Sequence, residues 1–104
     1  MLTFQVISTE ELKNKLAKGE KLNLIDVREE DEVAEGMIPE AKHIPMGEIP
    51  ASLDQFNKDE EYIFICRSSG RSGRVCEYMS SQGFKVTNMT GGMLEWTGET
   101  KPKK

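Results

Sequence analysis

The run EYIFIC, Glu61 to Cys66, limits what this chain can fold into more than any other stretch. A strand with one wet face alternates apolar and polar residues. An unbroken apolar run of this length fits a strand buried on both faces, as in a parallel sheet covered by helices. The run passes directly into RSSGRSGR (Arg67 to Arg74), which is polar, cationic and rich in small residues. Val75, Cys76 and Met79 then fall on one helical face, and Gly83 supplies a C-terminal stop. The segment therefore predicts a buried strand, a tight loop and a helix over residues 71–82.

The rest of the chain repeats this alternation. Strands are expected at residues 3–7, 22–27, 42–44 and 84–89. A helix is expected over residues 8–19, where Ser8 and Glu11 have capping-box spacing, and a short helix or turn in the acidic stretch 29–36. One or two helical turns are expected within residues 47–56, and a short helix after Gly91 and Gly92. Strands alternating with helices give an α/β fold: a mainly parallel central sheet of about five short strands with helices on both faces. The 104 residues suit one domain over residues 1–100, with 101–104 as a flexible tail. No basic start followed by an apolar block opens the chain, and no run reaches membrane-spanning length, so a cytoplasmic monomer is expected. In that compartment the two cysteines are expected as thiols.

Charge is distributed unevenly. The net charge of −4 disfavours nucleic acid and anionic membrane as partners. Yet three of the four arginines, Arg67, Arg71 and Arg74, follow Cys66 closely, and no acidic residue intervenes before Glu77. A cationic island in an acidic protein points to a small anion as ligand. The loop adds the means to hold one. A helix N-terminus presents unpartnered N–H groups and partial positive charge, and a tight turn before it can aim more N–H groups at one point. Gly70 is the residue expected to take positive φ there. Ser68, Ser69 and Ser72 are small donors, and Arg67 and Arg71 add fork-shaped ones. The same surroundings can lower a cysteine pKa from about 8.5 to between about 3.5 and 7.5, which makes Cys66 a candidate nucleophile. No metal-ligand spacing is present: there is no CxxC, and the single histidine, His43, lies in another segment. Nor does any motif call for a cofactor.

Four stretches in order are similar to the signatures of one family: LIDVRE (Leu24 to Glu29), EGMIPEAKHIP (Glu35 to Pro45), CRSSGRS (Cys66 to Ser72) and GGMLEW (Gly91 to Trp96). On these the chain resembles a single-domain rhodanese, a thiosulfate sulfurtransferase. The resemblance implies that Cys66 takes the outer sulfur of thiosulfate, or of a small or protein persulfide, as a persulfide of its own and passes it to cyanide in vitro or to a small or protein thiol in the cell. It also implies that the N–H groups of residues 67–72, including those of Ser68, Ser69, Gly70 and Ser72, cradle the persulfide, while Arg67 and Arg71 hold the anionic donor. Met37, Glu40 and His43 depart from the family's common residues in a segment expected to be structural.

Other functions are weighed on the same residues. Cysteine-loop phosphatases and arsenate reductases place five residues between cysteine and arginine, whereas Cys66 and Arg71 have four between them. Non-catalytic modules of the rhodanese type often lack the cysteine. Asp26, Arg28, Glu35 and His43 are expected to make structural polar contacts, Cys76 to be buried, and Met93, Leu94 and Trp96 to plug the core.

Overall fold

The computed structural model of the chain describes residues 4–102. Five strands form one sheet: β1 (Gln5–Ile7), β2 (Leu24–Asp26), β3 (Ala41–His43), β4 (Glu61–Ile65) and β5 (Lys85–Met89). Their order is β1-β5-β4-β2-β3, and every neighbouring pair is parallel. The helices are α1 (Thr9–Ala17), α2 (Glu30–Glu35), α3 (Gly70–Ser81) and α4 (Gly92–Glu95); 3-10 segments at Met46–Glu48 and Pro50–Gln55 connect β3 to β4. The α/β architecture expected from the sequence is present, with the sheet wholly rather than mainly parallel. The expected first strand begins at residue 3, outside the described residues.

β4 lies at the centre of the sheet, and its alternate side chains build two cores. Tyr62, Phe64 and Cys66 join Ile25, Val27 and Val86 on one face, where Val75, Cys76 and Met79 of α3 cover them. Ile63 and Ile65 join Ile7, Leu24 and Met89 on the other, beneath Leu12 of α1 and with Met93 and Trp96 at the margin. This explains the unbroken apolar run. Burial of a side chain such as Phe64 or Ile65 contributes about 1.5–3 kcal/mol.

Local chemistry sets the element ends. At α1, Ser8 Oγ accepts the Glu11 N–H at 3.1 Å, and the Glu11 carboxylate accepts the Ser8 N–H at 3.4 Å, forming the expected capping box. β4 stops one residue short of Cys66 because the Cys66 carbonyl turns aside to accept the Met93 N–H at 2.9 Å. Of the tail, Lys101 is tied to Met37 by two backbone hydrogen bonds of 2.8 Å. Met93 and Trp96 pack against the core as expected, but Leu94 does not and is 62% exposed. A four-residue helix has one inward face, which Met93 occupies, and Trp96, the extended residue that ends the helix, packs on the same core.

Beside Cys66, the carboxyl end of β2 is held by a buried ion pair. Asp26 is fully buried, and its carboxylate accepts Arg28 Nε and Nη2 at 2.9–3.1 Å as well as the Arg28 backbone N–H at 3.0 Å. Arg28 Nη2 also donates to the Gly36 carbonyl at 2.7 Å, which pins the end of α2 to β2. His43, paired with Asp26 in the β2–β3 register, donates from Nε2 to the Arg28 carbonyl at 2.6 Å. Asp26, Arg28 and His43 thus make the structural contacts expected of them. Glu35 instead is exposed at the end of α2, two positions from the buried Val33.

Removing one partner of a buried pair strands the other charge. Asp26→Ala is therefore expected to cost about 3–5 kcal/mol, read as a lower urea midpoint at unchanged slope. The double replacement Asp26→Leu with Arg28→Met should recover part of the loss, since it leaves no unpaired buried charge.

Candidate active site

Cys66 lies immediately beyond the central strand and is 1% exposed. It therefore forms the floor of the loop. The loop passes from Arg67 to Ser69 and enters α3 at Gly70, so the helix N-terminus faces the sulfur. The Ser69 N–H donates to Cys66 Sγ at 2.9 Å. Ser72, fully buried on the first turn of α3, brings its hydroxyl within 3.3 Å of the same sulfur. All these donors favour negative charge on or beside the sulfur.

The residue that takes positive φ is Ser69, at 81°, and not Gly70, which opens the helix with ordinary backbone. A side chain in the left-handed region costs on the order of 1 kcal/mol. This conformation directs the Ser69 N–H toward the thiol, while its carbonyl accepts the Gly73 N–H at 2.9 Å.

Asn88, which the sequence reading passed over, supports this arrangement. It is 7% exposed, and its register partner on β4 is Phe64. Its Oδ1 accepts the Ser72 hydroxyl, and its Nδ2 donates to the Ser69 carbonyl at 3.3 Å. The Ser72 hydroxyl has a single proton to share among Asn88 Oδ1, Cys66 Sγ and the Ser69 carbonyl, so the amide governs where it points. The available signal was a polar residue two positions from the inward-facing Val86.

α4 closes the loop from behind. The Met93 and Leu94 N–H groups donate to the Cys66 and Arg67 carbonyls at 2.9 and 3.0 Å. Gly92 makes this approach possible. Its φ is +62°, and a Cβ there would lie 2.3 Å from the Arg67 carbonyl oxygen and 2.6 Å from the Ser68 nitrogen. GGMLEW is thus a clamp on the loop backbone as well as a core plug.

The arginines differ from their expected disposition. Arg71 donates from Nη1 and Nη2 to Glu32 Oε1 and Oε2 at 2.7 and 2.8 Å, a bidentate pair linking α3 to α2. Arg71 was expected to hold an anionic donor; in the structure Glu32, 39 residues away in sequence, engages both of its Nη atoms. Arg67 is exposed and has no ion pair among the described residues. It borders a cleft of about 350 Å³ that Leu94, Glu32, Glu35 and Gly36 also line. Ser68 is exposed as well. A larger cavity of about 530 Å³ lies at the amino ends of the strands, near Gln5, Asn23 and Glu61, away from any cysteine.

Both cysteines are free, but their settings differ. Cys76 is fully buried under the sheet, and burial, with the charge at Cys66 as a smaller cause, pushes its thiol up to about 12. It therefore stays protonated, in keeping with the expectation that it is a packing residue.

A parallel sheet whose central strand delivers a cysteine into an N–H-lined loop at a helix N-terminus is now complete in its parts. The chain belongs to the rhodanese-like domain family, whose model matches residues 8–99. It is 60% identical over 97 residues to the "Putative sulfurtransferase YtwF" of Bacillus subtilis, covering 93% of this chain and 94% of that protein. It is 38% identical over 97 residues to a "Sulfurtransferase" of Allochromatium vinosum, covering 92% and 91% of the two chains. The crystal structure of a rhodanese-like domain protein from Staphylococcus aureus superposes with a TM-score of 0.90 at 42% identity, over 97% of this chain and all of that one.

Two tests follow from the geometry. Gly92→Ala forces a side chain against loop backbone at positive φ. It should lower Cys66 alkylation by a neutral thiol reagent or turnover by at least about tenfold, with a stability loss of about 1 kcal/mol or more. Separately, hydrogen bonding to Arg71, against an opposing effect of burial, holds the Glu32 carboxyl down from an ordinary 4.5 to about 2. A carboxyl depressed in the folded state contributes stability above its unfolded pKa and loses it as pH falls through the folded one. The Glu32–Arg71 contribution should thus be full above pH 4.5 and vanish toward pH 2. Glu32→Gln should flatten the fall in unfolding free energy across that window, measured by denaturant titration at each pH.

Proposed function

We propose that this protein is a sulfurtransferase that carries sulfane sulfur as a persulfide on Cys66. The observation that carries the proposal is the Ser69 N–H at 2.9 Å from Cys66 Sγ, at the floor of a loop opening into α3. The sulfurtransferase names of relatives along nearly the whole chain support it. The Cys66 thiolate attacks the outer sulfur of a donor. With thiosulfate, the S–S bond breaks, sulfite leaves with the bonding pair, and Cys66–S–S⁻ remains. With a persulfide R–S–SH, the leaving group is the thiol RSH after proton transfer, and the same Cys66 persulfide forms. In the second half-reaction, cyanide or a thiol attacks the outer sulfur and leaves as thiocyanate or a new persulfide, which restores the Cys66 thiolate. No net oxidation or reduction occurs over the cycle.

In this proposal the loop N–H groups, with Ser69 foremost, stabilise the charge on the sulfur that leaves and returns. Arg67 attracts the donor, Ser68 and Gly70 leave its path open, and Ser72 with Asn88 orients a hydroxyl toward Sγ. Acceptors include small thiols and protein thiols, and a relative named "Putative sulfur carrier protein YrkF", 42% identical over 96 residues, is in keeping with a sulfur-handling partner. The chemistry suits a reducing compartment such as the cytoplasm, because Cys66 must return to the thiolate in each cycle. Every group named belongs to one chain, so a monomer suffices.

The test combines intact mass with turnover. Incubation with thiosulfate or an alkyl persulfide should add one sulfur to the protein, and cyanide should then remove it as thiocyanate. Cys66→Ser should abolish both signals, and Cys76→Ser should retain them. Loss on Cys76→Ser with survival on Cys66→Ser would move the site. Failure of every donor, together with turnover of a small aryl phosphate, would replace sulfur transfer with phosphatase chemistry.

A further inference from the structure

The loop is less cationic in the fold than in the sequence, because Arg71 among its three arginines is already paired. Arg28 is held by Asp26 and Arg71 by Glu32, each through two-pronged contacts. The cleft beside Arg67 is lined by two arginines, Arg28 and Arg67, and two glutamates, Glu32 and Glu35. Arg74 is exposed and lies a turn further down α3, outside this lining. A donor entering beside Arg67 therefore meets one uncommitted guanidinium, the Glu35 carboxylate, and the Arg28 and Glu32 side chains already paired with Asp26 and Arg71. The same cleft offers Met93 and the 62% exposed Leu94 as apolar surface, which an alkyl group can cover and a sulfonate cannot use.

Resting on the sulfur-transfer reading, we propose that Glu32 selects the donor class: by occupying Arg71 it disfavours the thiosulfate dianion and leaves a site suited to alkyl persulfides of at most one negative charge. Recruiting Arg71 to a dianion would require breaking both charge-assisted hydrogen bonds to Glu32. Protonation does not release the arginine at working pH, since the Glu32 carboxyl stays ionised down to about 2. Glu32 is not itself in contact with the sulfur; it acts through Arg71.

Glutamine is the informative replacement. Glu32 Oε1 accepts the Glu29 N–H at 2.9 Å at the start of α2, and a glutamine oxygen can keep that bond. Its amide NH₂ would then face Arg71 Nη2, donor against donor, which breaks one of the two bonds and removes the charge that holds the guanidinium. The probes are thiosulfate and 2-hydroxyethyl persulfide, whose only charge is the persulfide's own. The wild-type protein should show kcat/KM at least about tenfold higher for the persulfide than for thiosulfate. Glu32→Gln should raise the thiosulfate-to-persulfide ratio of kcat/KM by about tenfold, through a lower thiosulfate KM, as expected for one unit charge restored beside a dianion. The thiosulfate reaction of the variant should also become more sensitive to added KCl. Adding Arg71→Met to Glu32→Gln should erase the gain.

A wild-type preference for thiosulfate overturns the proposal, whether or not the variant folds. So does a ratio unmoved by Glu32→Gln, or a gain that survives loss of Arg71. In each of these cases sulfur loads onto Cys66 and the transfer reading stands. If neither probe adds sulfur to Cys66, both fall together.

Discussion

The site depends on the register of β4 between β2 and β5. In the centre of an all-parallel sheet the strand is held on both sides, with Ile65 level with Asp26 and Phe64 level with Asn88. Where the ladder ends, neighbouring elements take over at once. The Val27 N–H bonds the Ile65 carbonyl, and α4 bonds the carbonyls of Cys66 and Arg67. A one-residue slip of β4 would send Cys66 to the opposite face and disconnect it from α3. The hydrophobic sorting of Tyr62 and Phe64 to one side and Ile63 and Ile65 to the other prevents that slip.

Around this fixed point, polar groups are used in two ways. Some hold backbone in place: Asp26 with Arg28, His43 on the Arg28 carbonyl, and Asn88 on the Ser69 carbonyl. Others shape the field at the sulfur: the Ser69 N–H, the Ser72 hydroxyl and the α3 N-terminus. The Glu32–Arg71 pair belongs to both groups. It braces α2 against α3, and it removes a cation from the mouth of the loop.

Local patterns carried most of the fold and singled out the cysteine that the loop surrounds. The apolar run into Cys66, the Ser8–Glu11 cap and the alternation of strands and helices all arise within a few residues of one another, where sequence spacing maps onto geometry. What escaped depended on contacts distant in the chain or on choices between neighbours. Glu32 and Arg71 meet only once β2 and β4 are paired. Asn88 looks like an ordinary strand residue until the sheet brings it under Ser72. Two small residues stood side by side at the turn, and Gly70 is the intrinsically better candidate for positive φ. Ser69 takes it because its N–H is then presented to the thiol. Leu94 was grouped with its apolar neighbours, although a single helical turn can bury only one side.

The α4 clamp also bears on timing during synthesis. The groups that close the loop, Met93 and Leu94, follow Cys66 by more than twenty residues, and β1 pairs with β5, the last strand in the chain order of the described residues. A ribosome exposes the cysteine well before it exposes the segments that complete its surroundings. Until then the thiol has neither its fixed carbonyls nor a finished sheet beneath it. A partly made chain therefore presents Cys66 without the contacts that surround it in the finished fold.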